Sequence, residues 1–208
     1  MLVAVDWTTM ASLATAAGTL VLAIATFASV RSANRAARVA ERSLRLGLRP
    51  ILVPSRQEDP PEDIPFPERA FKLPGSQALV AAHEGNVFLG ISLRNVGSGL
   101  AVLEGGYVYP EFLRADPDHA DPDDFKFLQR DLYVPAGATG YWQAGVRDQD
   151  PDLRRALLDA IEARGRLTIE LLYGDYEGNQ RTVTRFGITP RGESDWFAVV
   201  VRHWGLDD

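Results

Sequence analysis

A chain of 208 residues, 46% apolar and 24% charged, has room for one ordinary folded core with an appendage, and this composition excludes a wholly disordered chain and a polytopic membrane protein. The formal charge of −6 divides unevenly: residues 1–49 hold six arginines against Asp6 and Glu41, net +4, which leaves net −10 on the remainder. So acidic a remainder lacks the basic footprint of a nucleic-acid binder, and the absence of cysteine removes disulfides, Cys-ligated metals and thiol nucleophiles.

From Trp7 to Val30 run 24 residues without a charge, bounded by Asp6 and Arg31. As a helix they span roughly 36 Å, enough to cross a bilayer with some tilt. Ala23-Ile24-Ala25 would suit a signal-peptidase site, but a signal peptide needs a basic n-region and here Asp6 precedes the span. The positive charge follows the span, at Arg31, Arg35, Arg38, Arg42, Arg45 and Arg49. The positive-inside rule therefore predicts an uncleaved single-pass anchor in the cell membrane, with the N-terminus outside and the rest cytoplasmic.

The helix is expected to continue through residues 31–49 and to stop at Arg49-Pro50, because proline disfavours helix in the residue before it. Its arginines recur at alternating spacings of 4 and 3, which puts all six on one face as candidate contacts for anionic lipid. A second series at the same rhythm, including Thr15, Thr19, Thr26, Ala33 and Ala40, lies nearly opposite. Small residues let helices approach closely, so this stripe is a candidate homo-oligomer seam. Its competitor is composition alone, since Ala- and Thr-rich helices produce such stripes cheaply.

Residues 50–77 contain Pro54, Pro60, Pro61, Pro65, Pro67 and Pro74 among acidic residues, and read as an extended tether or long edge loop with a weak first strand at Ile51–Val53. The β-domain is expected over residues 78–208. Alternation from Val87 to Arg94 predicts a half-buried strand. Further strands are predicted at Leu79–His83, Leu100–Tyr109, Asp131–Val134, Thr139–Val146, Leu167–Tyr173, Gln180–Ile188 and Asp195–Trp204. Asp150 as N-cap and Pro151 at the first helical position open one short helix that Gly165 stops. The fold class expected is mainly β: an antiparallel, immunoglobulin-like sandwich of seven or eight strands with one short helix, preceded by the long N-terminal helix.

The order of span, arginine helix ending in Arg49-Pro50, Asn95-Val96-Gly97-Ser98-Gly99-Leu100-Ala101, the Pro135-Ala136-Gly137 turn and the late Tyr173-Gly174-Asp175-Tyr176-Glu177-Gly178 turn resembles a broad group of bacterial single-pass membrane-anchored proteins with a cytoplasmic β-sandwich domain. Only Lys72 and Lys126 are lysines among 22 basic residues, a bias in keeping with an actinobacterial, GC-rich source. The resemblance implies layout and topology and carries no activity, cofactor or catalytic residue.

Chemistry is thinly signalled. Asp116, Asp118, Asp121, Asp123 and Asp124 surround His119 and offer hard oxygen ligands for calcium, yet without the loop register or glycine of an EF-hand, so a solvated loop is expected. Asp175, Glu177 and Asn179 fit a hairpin turn. No phosphate loop or nucleophile elbow occurs, and Ser76, Ser92, Ser98 and Ser194 remain only nominal nucleophiles. Trp196 and Trp204 form a candidate partner-docking patch; the competing reading sends the Phe197-Val199-Val201 face into the core with Trp204 over an edge. The function class expected is a membrane-anchored, non-catalytic interaction or scaffold module for an unknown protein partner, without cofactor or metal. The alternatives are a ligand- or metal-sensing domain and a hydrolase.

Overall fold

In the computed structural model, residues 7–114, 116–178 and 180–206 are described, without the side chains of Arg42, Arg45, Leu46, Gln129, Arg130 and Asp131. The chain divides into two compact units, Met1–Gly47 and Leu48–Asp208.

The first unit is one helix, α1 (Trp7–Gly47). It contains no proline, and it is long and apolar enough to cross a membrane. Its hydroxyls do not interrupt it, because Ser12, Thr15, Thr19 and Thr26 each donate to the carbonyl four residues back, at 2.8–2.9 Å.

The second unit is mainly β. Its strands are β1 (Leu52–Pro54), β2 (Glu62–Pro65), β3 (Ala70–Leu73), β4 (Gln77–His83), β5 (Asn86–Asn95), β6 (Ala101–Tyr109), β7 (Lys126–Val134), β8 (Thr139–Val146), β9 (Leu167–Gly174), β10 (Thr182–Arg191) and β11 (Asp195–Gly205). One edge of β5 pairs with β8, while β4 and β1 share the other. The ladder then continues from β4 through β11, β10, β9 and β6 to β7, antiparallel throughout. The end strands β7 and β8 are consecutive in the chain and joined by only Pro135–Ala138, so the sheet must curl to bring its ends together. The strands thus form one nine-stranded curled antiparallel sheet with a separate two-stranded one, an architecture that is mainly β as expected.

The concave face holds the main core, with Leu89, Ile91, Trp142, Ile169, Leu171, Tyr173, Phe186 and Ile188. The helix α2 (Pro151–Glu162) contributes the fully buried Leu157. Its start follows expectation: Asp150 accepts from the Leu153 amide at 3.2 Å and Pro151 stands in the first turn. Its end differs in detail, since Arg164 takes the left-handed conformation, φ +52°, and the Gly165 amide closes on the Ala160 carbonyl at 2.8 Å.

Two coverings bury parts of the outer face of the sheet. Residues 50–77, expected as an extended tether or long edge loop with a weak first strand, carry β1, β2 and β3. β2 and β3 form a hairpin whose Ile64, Phe66 and Leu73 pack on Phe88 of β5, with the Phe66 and Phe88 rings edge to face at 4.9 Å. This cover is why β5 is buried on both faces and not half-buried. Over β9 and β10 lies the segment between β6 and β7, where Phe125 meets Leu172 and Val183 in a separate cluster.

Candidate functional site

Along α1, Thr15, Thr19, Thr26, Ala33 and Ala40 are exposed, as are Arg31, Arg35 and Arg38. The side chains of Arg42 and Arg45 lie outside what is described. Because the threonine hydroxyls are bonded within their own helix, the stripe presents methyl groups and small residues. Arg49 departs from the series: it is half-buried in the β-unit and donates to Thr182 Oγ1 at 3.2 Å. Its guanidinium is thus engaged within the β-unit.

The chain leaving α1 is held at once. Leu48, Arg49, Pro50 and Ile51 cross the loop after β5, and glycine makes the crossing feasible. A Cβ on Gly99 would stand 1.8 Å from the Leu48 carbonyl oxygen, and one on Gly97 would stand 2.3 Å from that of Arg49. Asn95 fastens the same place with both ends of its amide. Oδ1 accepts from the amides of Ile51 and Gly97 at 3.2 and 3.0 Å, and Nδ2 donates to the carbonyls of Gly99 and Val134 at 2.7 and 2.9 Å. The Asn-Val-Gly-Ser-Gly motif is thus a saddle for the residues that follow the helix.

Beside the saddle runs a short relay. The Leu52 amide donates to the Tyr173 hydroxyl at 3.2 Å, that hydroxyl lies 2.9 Å from Thr184 Oγ1, and Thr184 Oγ1 lies 2.7 Å from His203 Nδ1. Tyr173 and Thr184 are fully buried, whereas His203 retains exposed surface. Partial covering of the imidazole, with the Arg49 guanidinium second, holds it below its ordinary protonation range. Burial pushes the Tyr173 phenol up. These residues come from β9, β10 and β11, so their meeting depends on strand register, which the sequence reading did not supply.

The acidic segment 111–124 is fastened to the sheet from beneath. Arg185 and Glu170 face each other across β9 and β10 with no exposed surface, Nε donating to Oε1 at 2.7 Å. The guanidinium also donates to the carbonyls of Asp116 and Asp118, while Glu170 Oε2 accepts from the Ala120 amide at 2.9 Å. Two backbone carbonyls of the segment are thus taken up by this arginine. Among the described residues, no group of three or more His, Asp or Glu is disposed to hold a metal.

Trp204 joins this clamp. Its Nε1 donates to the Pro117 carbonyl at 3.2 Å, and the Arg185 guanidinium stands 4.9 Å from its ring centre. Trp196 points the other way, into the main core, and is 3% exposed. The expected docking patch of these two tryptophans is therefore corrected. A register shift opposite Arg185 and Phe186 leaves Val201 without a partner in the ladder, so the alternation reverses midway through β11. Before the shift, Trp196, Ala198 and Val200 face the core; after it, Arg202 and Trp204 face the outer cover. Val199, expected inside, is 50% exposed.

Ser92 Oγ is buried 2.6 Å from Ser55 Oγ, which in turn accepts from the Ser76 amide, and Ser194 donates to Asp195. Among the described residues no histidine is bonded to a serine: His119 Nδ1 is at the Ala120 carbonyl and His203 Nδ1 at Thr184. Asn179, expected in the β9–β10 turn, lies outside the described residues. Comparison with known proteins finds no matching family, no matching curated sequence and no matching solved structure.

Proposed function

We propose that this is a single-pass membrane protein whose N-terminus lies outside and whose β-unit is a cytoplasmic, non-catalytic interaction module. The observation that carries the reading is the glycine saddle: the most sterically demanding loop of the β-unit grips Leu48–Ile51, the residues directly after the helix. The uncharged span followed by arginines supports the orientation. The polar clusters support a binding role over catalysis, because their donors and acceptors are spent on holding loops to the sheet. The anchor meets lipid, with anionic headgroups opposite Arg31, Arg35 and Arg38. A second copy packs along Thr15, Thr19, Thr26, Ala33 and Ala40 through close backbone approach.

Affinity capture of the intact protein from its own membrane tests the function class. A protein partner retained in stoichiometric amount and lost when the β-unit is replaced is the expected result. Turnover of any member of an ester or phosphoester panel by the purified full chain would overturn the non-catalytic reading.

A further inference from the structure

We propose that His203 is a proton-responsive latch on the segment that joins the β-unit to its helix. The inference rests on a count of hydrogens along the relay from Leu52 through Tyr173 and Thr184 to His203.

With His203 neutral and its proton on Nε2, three donors serve three links: Leu52 N–H to the Tyr173 oxygen, Tyr173 O–H to Thr184 Oγ1, and Thr184 O–H to His203 Nδ1. A proton taken from water onto Nδ1 turns that nitrogen into a donor. Four donor hydrogens then share three links, and one hydroxyl hydrogen of Tyr173 or Thr184, both 0% exposed, loses its acceptor. Burying an unpaired donor is costly, so the links of the relay compete for acceptors. The end of the relay away from the solvent-exposed ring is the Leu52 amide of β1, a strand of three residues paired with β5, and its protection reports that competition.

The charges around the ring resist the same step. Arg49, from the incoming segment, is the cation that acts on His203 and is itself held by Thr182 of β10. On β9 and β10, Glu170 and Arg185 occupy the opposite face and engage each other. At the start of β10, Arg181 pairs with Glu104 of β6 at 3.0 Å. On β11 itself, Arg202 is directed to the Pro117 carbonyl. Among the described residues these contacts align no carboxylate to stabilise an imidazolium, and partial covering together with the Arg49 guanidinium holds the imidazole below its ordinary protonation range. Exposure of the ring lets solvent protons reach it.

The test is amide hydrogen exchange of the full chain in bilayer discs, corrected for intrinsic rates, between about pH 7.5 and about pH 5.5. Protection of the Leu52 amide is expected to fall about tenfold relative to Ile169, in the middle of β9, as a donor is orphaned. His203→Gln, which accepts from Thr184 and does not titrate, should abolish the difference. An unchanged Leu52 in the wild type, or an equal fall in wild type and variant, would overturn the latch. Should that variant not fold, Arg49→Gln carries the test: removing the cation moves the midpoint to higher pH, and an unmoved midpoint overturns the proposal.

Discussion

The Leu48 carbonyl oxygen occupies the space that a side chain on Gly99 would need, 1.8 Å from its Cβ position. Backbone meets backbone there, so no rotamer change relieves the clash. Gly99→Ala is expected to destabilise the β-unit by about 2–4 kcal/mol, in the range of strained or overpacked sites. Gly47→Ala, with nothing within 4 Å, should leave the unfolding midpoint unchanged. Thermal denaturation of the detergent-solubilised chain, followed by near-ultraviolet circular dichroism, separates the two; equal midpoints would remove the saddle.

Arg185 and Glu170 form a pair with no exposed surface and carbonyl acceptors around the guanidinium. Removing one partner leaves a buried charge, so Arg185→Met should cost about 3–5 kcal/mol. The double variant Arg185→Met, Glu170→Leu should lose less than the single one, because no lone charge remains. Urea unfolding of all the variants closes the cycle. Additive losses would mean that the two side chains act separately. The single variant should also expose the acidic segment, read as faster proteolytic cleavage between Leu113 and Ala120.

Much of this fold was legible from local chemistry. The boundaries of β8, the Asp150 cap and the positions of β5, β6, β9, β10 and β11 follow from alternation, turn residues and proline. The errors share one cause, which is that pattern reading does not see what lies across a sheet. The prolines of residues 60–67 suggested an extended tether, yet they flank Ile64 and Phe66, the residues that cap Phe88. In β11 the periodicity was sound on each side of Val201, but one unpaired residue reversed the faces and buried Trp196. Of the candidate site, Asn95, Gly97 and Gly99 stood out as turn chemistry without revealing that they hold Leu48–Ile51. The relay of Tyr173, Thr184 and His203 required three strand registers at once.

Asp59 carries a pH dependence of its own. Side-chain hydrogen bonds from Arg94 and the Arg56 amide hold its carboxyl at about 2. A carboxyl held below its unfolded value adds stability above roughly pH 4, and this is lost as pH falls through the folded value. The gap in urea midpoint between wild type and Asp59→Asn should therefore be full at neutral pH and close progressively between about pH 4 and about pH 2. A gap that stays constant across that range would show that the carboxylate charge is not what Arg94 secures.

The helix stripe makes a directional prediction. Single cysteines at Ala33, Ala40 or Gly47 in this otherwise cysteine-free chain should form disulfide-linked dimers in membranes on mild oxidation. Cysteines at Arg31 or Arg38, on the opposite face, should not. Equal cross-linking on both faces, or none on either, would reduce the stripe to a by-product of alanine and threonine content.

The orientation across the membrane is tested most directly by two single-cysteine variants in intact cells, Thr9→Cys at the start of α1 and Glu193→Cys in the exposed turn between β10 and β11. A membrane-impermeant maleimide should label position 9 at once and reach position 193 only after the cells are permeabilised. Labelling of position 193 in intact cells would place the β-unit outside, and would contradict the reading of a cytoplasmic module held behind its arginines.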